Sequence, residues 1–418
     1  MRIALPPSRK LAGRIVAATL VAFATADAAL AREPAWVGAW SAAQQVPEPR
    51  NALPSEALTD ATLRQVVRVT AGGPQVRVRL SNVHGTLPLT FSRTHVAKPR
   101  APGSAAIDPA TDRAVTFNGR ADVTVPAGAE YLSDPVALPV RPLDSLAISF
   151  HLPQPPAVQT GHPGSRTTTF YAKGDHAAAA DLPDAGRVVR WYQLSGVEVP
   201  AGPKSAAIVA FGDSITDGFG TGPDRNERWP DFLAERLQAD PKLRHLSVLN
   251  HGISGNRLLN DSLGPNALAR FERDVLGQSG VRYVIILEGV NDLGTSTRLG
   301  AIPAEAHQRL VTDLIGAYRQ MVARARARGI KVIGATILPF AGTPTYNPTA
   351  ANEADRQALN AWIRTPGNFD AVIDFDAVMR DPAQPDRLKA ELDIGDHLHP
   401  SIAGYRAMAD AVPLSLFR

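Results

Sequence analysis

Four short polar stretches of this 418-residue sequence carry residue types able to do covalent chemistry. Gly212-Asp213-Ser214 closes the apolar run "AAIVAFG", and Gly252, Ser254, Gly255 and Asn256 close or follow "LSVLNHG". Gly289, Asn291 and Asp292 follow "YVIILE", and Asp396, His397 and His399 stand in "GDHLHPSIAGY" near the end of the chain. A serine hydroxyl becomes nucleophilic when a base takes its proton, and an imidazole does this near neutral pH. An acid beside that imidazole fixes its tautomer and stabilises the imidazolium. Backbone N–H groups beside glycines and an asparagine amide supply donors for a developing oxyanion. The chemistry these residue types share is acyl transfer. Taken alone, Ser214 reads as a turn or helix-cap serine; the other three stretches set it apart.

These residues need elements that bring them to one crevice. From Ser205 onward the apolar runs "AAIVAFG", "LSVLNHG", "YVIILEGVND", "KVIGATILP" and "FDAVIDFDAV" are near-continuous, as in strands buried on both faces of a parallel sheet. Helical stretches alternate with them at Trp229–Leu237, Leu268–Leu276, Ala304–Arg328 and Glu353–Ile363, with a last helix at Ile402–Ala411. Five strands alternating with helices predict a doubly wound α/β domain whose site lies at the carboxyl ends of the strands. From Trp36 to Pro200 the period is two. In "QVRVRLSN", Val76, Val78 and Leu80 alternate with Arg77, Arg79 and Ser81, and similar runs recur between Gly- and Pro-rich turns. That half predicts a β-sandwich. Its final strand, "VVRWYQLSGVEV", runs almost directly into the strand that ends at Ser214. The joint at residues 199–207 is short, so the two halves are expected to pack together, with the sandwich bordering the mouth of the site.

"FGDSITDG", "GISGN", "GVND" and "DHLHP" resemble, in order and spacing, the four sequence blocks of the SGNH (GDSL-type) hydrolase superfamily. The resemblance covers about residues 206–412, and "RWPDFLAERL" and "ALARFERDVL" are similar to a bacterial branch of secreted esterases with an N-terminal β-domain. It implies a flavodoxin-like doubly wound parallel sheet over residues 201–418, preceded by a β-sandwich over 32–200. It further implies Ser214 as nucleophile, His399 as general base and Asp396 as the acid that orients it. The oxyanion hole would be the backbone N–H groups of Ser214 and Gly255 with the side-chain amide of Asn291. The implied reaction is ester hydrolysis without a metal or other cofactor, and for an exported member the substrate is a small-molecule or polysaccharide ester with a short, acetyl-type acyl group. Two other readings stand beside this one: a lipase or lysophospholipase acting on longer chains, and a secreted carbohydrate-binding protein with an inactive α/β half.

Rival roles exist for most of these residues. Gly252 competes with Gly255 as a donor, His397 with His399 as the base, and Asp393 with Asp396. Asp213 reads as a structural acceptor in its turn, Asp217 as a charge in the first turn of the following helix, and Asp292 as a hydrogen-bond acceptor behind the site. His251, Arg257, Glu288 and Trp229 lie near motif positions and read first as packed or paired residues. Trp191, Tyr192 and Tyr171 read as sandwich core before they read as a sugar-stacking platform. The His/Asp cluster lacks the paired-His helical spacing of zinc proteases.

Hydrophobic residues make up 44% and charged residues 20%, an ordinary globular composition. Arg2, Arg9, Lys10 and Arg14, the apolar run Ile15–Ala26 and Ala29-Leu30-Ala31 have the three parts of a signal peptide over residues 1–31, so an exported protein is expected. The apolar run falls short of the roughly 20 residues a membrane span needs. That segment holds four basic residues and one acid, so the net charge of +4 falls to +1 without it. A near-neutral chain has no electrostatic footprint for nucleic acid or an anionic membrane. Cysteine is absent, which excludes disulfides and zinc–thiolate sites.

Overall fold

The computed structural model describes residues 35–418, together with Met1, Arg2 and Ala4; the rest of the expected signal peptide lies outside the described residues. The apolar runs of the second half form the strands Ala206–Gly212, Leu246–Gly252, Val281–Leu287, Lys331–Ala335 and Ala371–Ile373. All pair in parallel, and across the sheet the second strand in the chain comes first, then the first, third, fourth and fifth. This is the flavodoxin-like order, in which the chain reverses its direction of travel between the first and third strands and opens a crevice there. Ser214 follows the first strand and Asn291 the third. Every residue of Ala206–Gly212 is buried, which explains why its sequence is apolar without alternation.

The expected helices are present at Trp229–Ala239, Ala267–Phe271, Ala304–Arg326, Ala350–Arg364 and Ile402–Ala411. The second of them continues as a π-helical turn, Glu272–Leu276. Two parts of the reading need correction. "GVND" does not simply end a strand: Gly289, at φ +112°, begins a helix over Val290–Ser296. "FDAVIDFDAV" is a strand only at Ala371–Ile373, because the Asp374 carboxylate accepts from Ala377 N and caps a helix over Phe375–Met379.

The first half is built mainly of antiparallel strands in two sheets. One orders the strands Trp36–Ser41, Leu194–Pro200, Arg77–Ser81 and Glu130–Leu132. The other runs from Gly186–Val188 through Thr169–Lys173, Ala61–Arg68, Ser145–Leu152 and Arg93–Ala97 to Arg113–Val115. "VVRWYQLSGVEV" is not one strand. Gln193 takes φ +50°, a left-handed conformation that interrupts the ladder, so Trp191–Tyr192 pairs with Gly161–His162 while Leu194–Pro200 joins the four-stranded sheet. Trp191 and Tyr192 are buried: the indole N–H donates to Val66 O and the tyrosine hydroxyl to Asn51 O. They are core, not a platform.

Residues 35–418 form one compact unit. An exposed edge strand leaves a row of unpaired backbone groups, and the first half covers the edge at Leu246–Gly252. Thr70 Oγ1 accepts from Val248 N at 2.9 Å, with Val248 O at 2.9 Å and Ala39 O at 3.0 Å as acceptors for its own proton. Ala42 bridges to Asn250, and Ser41 Oγ lies 2.6 Å from His251 Nε2. Gly38 N donates to Ser279 O, and Ser279 Oγ to Glu198, which also pairs with Arg77 and Arg79. Among the described residues no helix is long and apolar enough to cross a membrane.

Thr70→Val keeps the shape of the seam but strands a buried N–H at Val248, so it is expected to cost about 1–3 kcal/mol in urea unfolding followed by circular dichroism. Removing the chain before Lys204 uncovers the whole seam and is expected to abolish soluble expression. A soluble 204–418 fragment with full activity would contradict this account of the edge.

Candidate active site

Gly212 ends its strand where no side chain fits: a Cβ there would lie 2.6 Å from Leu287 O and 2.3 Å from Thr216 Oγ1. The chain then turns into the short helix Ser214–Asp217, capped by the Asp213 carboxylate, which accepts from Ile215 N at 2.9 Å. Ser214 is thereby held at a helix start with its backbone N–H free of any acceptor among the described residues. Its hydroxyl lies 2.8 Å from His399 Nε2, and His399 Nδ1 lies 2.6 Å from Asp396 Oδ2. Asp396 Oδ1 also accepts from the backbone N–H groups of Leu398 and His399. Burial pushes the Asp396 carboxyl up, but the bonds and charge of His399 outweigh it and hold the carboxyl below the usual carboxylate range. The structure therefore joins Ser214, His399 and Asp396 in one hydrogen-bonded line.

The rival pair does not reach the serine. His397 Nδ1 bonds Asp393 Oδ2 at 2.8 Å, and His397 sits at φ +59° with its side chain partly exposed at the rim. Gly252 is also set aside as a donor, since its N–H is given to Asn250 Oδ1 at 2.9 Å. The Gly255 N–H has no acceptor among the described residues, and Gly255 adopts φ +76°, a conformation glycine takes without strain.

Asn291 lies in the first turn of its helix. Its amide donates one proton to Asn256 O at 2.7 Å, while Tyr346 OH lies 2.5 Å from Asn291 Oδ1. Because Asn256 O can only accept, the amide nitrogen must face it, so Tyr346 is the donor to the amide oxygen. Burial pushes the Tyr346 hydroxyl up to about 12, which keeps it a donor at neutral pH. The second amide proton of Asn291 is left without a protein acceptor. Asp292 accepts from Leu258 N and Leu259 N and so pins the turn behind Gly255, in the acceptor role expected of it.

Asp217 does stand in the first turn of the short helix Ser214–Asp217, and it is also committed to partners from elsewhere in the chain. It is the last residue of a four-residue helix, buried, and it accepts from His162 Nε2 at 2.9 Å and from Ser254 Oγ and N at 2.6 and 3.1 Å. Burial would raise its carboxyl, but His162, Arg166 and Ser254 hold it below the usual range. His162 comes from the first half of the chain, and its Nδ1 bonds Ala43 O. The residue next to Gly255 is thus anchored from the sandwich. Sequence reasoning missed both His162, on a strand of only two residues, and Tyr346, in a turn; neither stretch is long enough to carry a periodic signal.

Arg270 was missed as well. Fully buried, it bonds Gly212 O, His251 O, Asn256 Oδ1, Asp274 and Glu288, and its guanidinium lies 4.0 Å from the Phe211 ring centroid. Glu288 is therefore a paired residue. His251 is buried against Ser41, and burial drives its imidazole down to about 3. Trp229 packs in the core against Phe375, and Arg257 donates to Asp261 O.

A cavity of about 390 Å³ opens beside this site, lined from the sandwich by Glu48, Arg50, Arg166 and Arg190 and from the α/β part by Phe219 and Ser254. The sandwich therefore borders the cleft, as the short joint predicted. The Phe219 ring lies 4.2 Å from the ring of His399. Among the described residues no group of three His, Cys, Asp or Glu side chains is arranged to hold a metal ion.

Burial is the main reason the Asp213 carboxyl rises to about 7, with the nearby acids Asp292 and Asp217 adding to it and Ile215 N and Arg270 opposing it. An aspartate in an unfolded chain titrates near about 4. The stability tied to Asp213 is therefore full below about pH 4 and falls away as pH rises through about 7. Asp213→Asn keeps the cap acceptor and removes this loss. Its Tm is expected to gain about 2–4 °C on the wild type between pH 5 and pH 8; a difference that stays constant with pH would show that Asp213 is not the titrating group.

No curated protein matches the chain. Solved structures similar to it include a GDSL-like lipase from Bacteroides thetaiotaomicron VPI-5482 at 24% identity, covering 51% of this chain and 89% of that one with a TM-score of 0.38. Another is a catalytic mutant of an acetylxylan esterase from Geobacillus stearothermophilus at 22% identity, covering 51% and 94% with a TM-score of 0.38. The model of the GDSL-like lipase/acylhydrolase family matches residues 210–407. That span runs from the strand delivering Ser214 to the helix that follows His399, and residues 210–407 form a GDSL-like lipase/acylhydrolase domain, that of a serine carboxylic ester hydrolase.

Proposed function

We propose that this chain is an exported esterase that removes short, acetyl-type acyl groups from carbohydrate or similarly polar alcohols by a Ser214–His399–Asp396 triad. The observation that carries the reading is the line of hydrogen bonds from Ser214 Oγ through the His399 ring to Asp396. His399 Nε2 takes the Ser214 proton as Oγ attacks the ester carbonyl, and Asp396 holds the proton on Nδ1 and stabilises the imidazolium. The N–H groups of Ser214 and Gly255 and the second amide proton of Asn291 receive the oxyanion. The loss of one such donor typically slows turnover about 10²–10³-fold. His399 then gives its proton to the departing alcohol, leaving an acyl-Ser214, and activates the water that hydrolyses it.

The charged and amide side chains that line the adjacent cleft between its apolar residues support a short acyl group and a polar alcohol over a long hydrocarbon chain, which leaves such groups unpaired. The basic start, apolar run and small-residue site at residues 1–31 support export.

Ser214→Ala is expected to lower the turnover of p-nitrophenyl acetate by about 10³-fold or more with the fold unchanged by circular dichroism. A fluorophosphonate should label the wild type at Ser214 and leave the variant unlabelled. Across p-nitrophenyl esters, acetate and butyrate should outrun octanoate and longer chains, and acetylated xylan should release acetate. A maximum at long chains would replace this reading with a lipase.

A further inference from the structure

The cleft beside Ser214 carries an unbalanced charge. Three arginines of the sandwich, Arg50, Arg166 and Arg190, line it against a single carboxylate, Glu48. Glu48 is engaged by the neutral amides of Asn51 and Gln45 and makes no ion pair. Arg190 is held by two of its donors on Asn51 Oδ1. Arg166 is different: its guanidinium donates to no group among the described residues, and its Nε is buried without a partner. Its placement is nonetheless fixed. The residue is held at φ +50°, outside the usual range for a side-chain-bearing residue, and its carbonyl accepts from Asp224 N at 2.8 Å. Asp224 is locked in turn by Thr168 N and Oγ1.

The guanidinium lies 5.5 Å from the centroid of the Phe219 ring, and the other neighbour of that ring is His399. Arg166, Phe219 and His399 thus form a stack leading from the cleft to the proposed base. Asp217 is near enough to feel the charge of Arg166, but its oxygens are taken by His162 and Ser254 and it forms no ion pair with the arginine. A planar fork of donors on a fixed stretch of backbone, beside the Phe219 ring and with no acceptor among the described residues, in a cleft with surplus positive charge, matches a carboxylate.

We propose that this cleft is a subsite for the part of the substrate beyond the scissile ester, that this part carries a carboxylate, and that Arg166 binds it. Acetylated uronic acids are the simplest substrates of this class. The proposal rests on the esterase reading and narrows it from polar esters in general to acidic ones.

The test compares kcat/KM for monoacetylated methyl glucuronide and monoacetylated methyl glucoside, with p-nitrophenyl acetate run in parallel. Wild-type enzyme should prefer the acidic sugar by about tenfold or more, the scale of one charge-assisted contact, and the preference should shrink as salt is raised. Arg166→Gln should bring the ratio close to one through a higher KM for the acidic ester. Should that variant fold poorly, Arg190→Gln serves instead and should reduce the same ratio. Free glucuronate should inhibit the wild type competitively where glucose does not. Equal rates on the two sugars, or a preference unchanged in the arginine variants, would overturn the subsite while Ser214-dependent hydrolysis of p-nitrophenyl acetate left the esterase reading standing. Loss of that hydrolysis would sink the esterase reading instead; the cleft would then be judged by calorimetry, where glucuronate binding no tighter than glucose overturns it.

Discussion

The guanidinium of Arg270 holds the crevice together. A charge taken fully out of water costs several kcal/mol unless it is paired and its donors are filled, and all five N–H groups of an arginine need acceptors. Here they have five: two carboxylates, Asp274 and Glu288, and three oxygens from Gly212, His251 and Asn256. Gly212 and His251 belong to the carboxyl ends of the first and second strands, Glu288 follows the third, and Asn256 follows Gly255. One side chain therefore sets the relative positions of the three segments that carry Ser214, Gly255 and Asn291. The same charge sits among Asp213, Glu288 and Asp292, three buried acids whose carboxyls are all driven up mainly by burial. Without the guanidinium Asp213 and Glu288 would face each other at the strand ends without the cation that opposes their rise.

The α/β part does not by itself hold the turn that carries Gly255. The Ser254 side chain and N–H both go to Asp217, and Asp217 is fixed by His162 from the other half of the chain. Thr70, Ala42 and Ser41 close the sheet edge whose strand leads into the same turn. Stability and function are therefore linked across the seam. The half of the chain that stops the edge strand from pairing elsewhere also anchors, through His162 and Asp217, the residue next to Gly255, and it supplies the arginines of the cleft.

How much of this was legible follows from where each signal lies. Strands buried on both faces are apolar at every position, so the sheet could be read directly, and the abrupt change to Gly, Ser, Asn and Asp at their ends marked the crevice. Arg270 could not be read, because an arginine between alanine and phenylalanine on a short helix looks like a solvated face, and only its burial shows otherwise. Tyr346 lies in irregular chain and His162 on a two-residue strand, and the contacts of both are set by tertiary packing. The buried partners of Asp217, His162 and Ser254, were not legible, since nothing in the sequence fixes the length of the helix that follows Ser214. Gly218, at φ +89°, ends it after four residues and turns the carboxylate inward. The break at Gln193 left no trace either, since glutamine does not announce a left-handed backbone.

The choice between two adjacent His–Asp pairs shows how little chain is needed to set the proposed base. Asp393–His397 and Asp396–His399 are built alike: in each, the carboxylate bonds the Nδ1 of a histidine a few residues on and also accepts that histidine's backbone N–H. Residue type does not separate them. The backbone at His397 does, because its left-handed φ reverses the chain between the two histidines. One ring goes to the rim and the other is directed inward, with the Phe219 ring against its face and Ser214 Oγ at its Nε2. The hydroxyl of Tyr405, in the helix that follows, donates to Phe219 O at 2.7 Å and fixes that wall. The inward ring has Asp396 on one nitrogen and the serine on the other, so both nitrogens are committed and the tautomer is set by contacts within a few residues of chain. The same wall carries Phe219 to Arg166, so the aromatic ring that confines the base also forms the floor of the basic cleft.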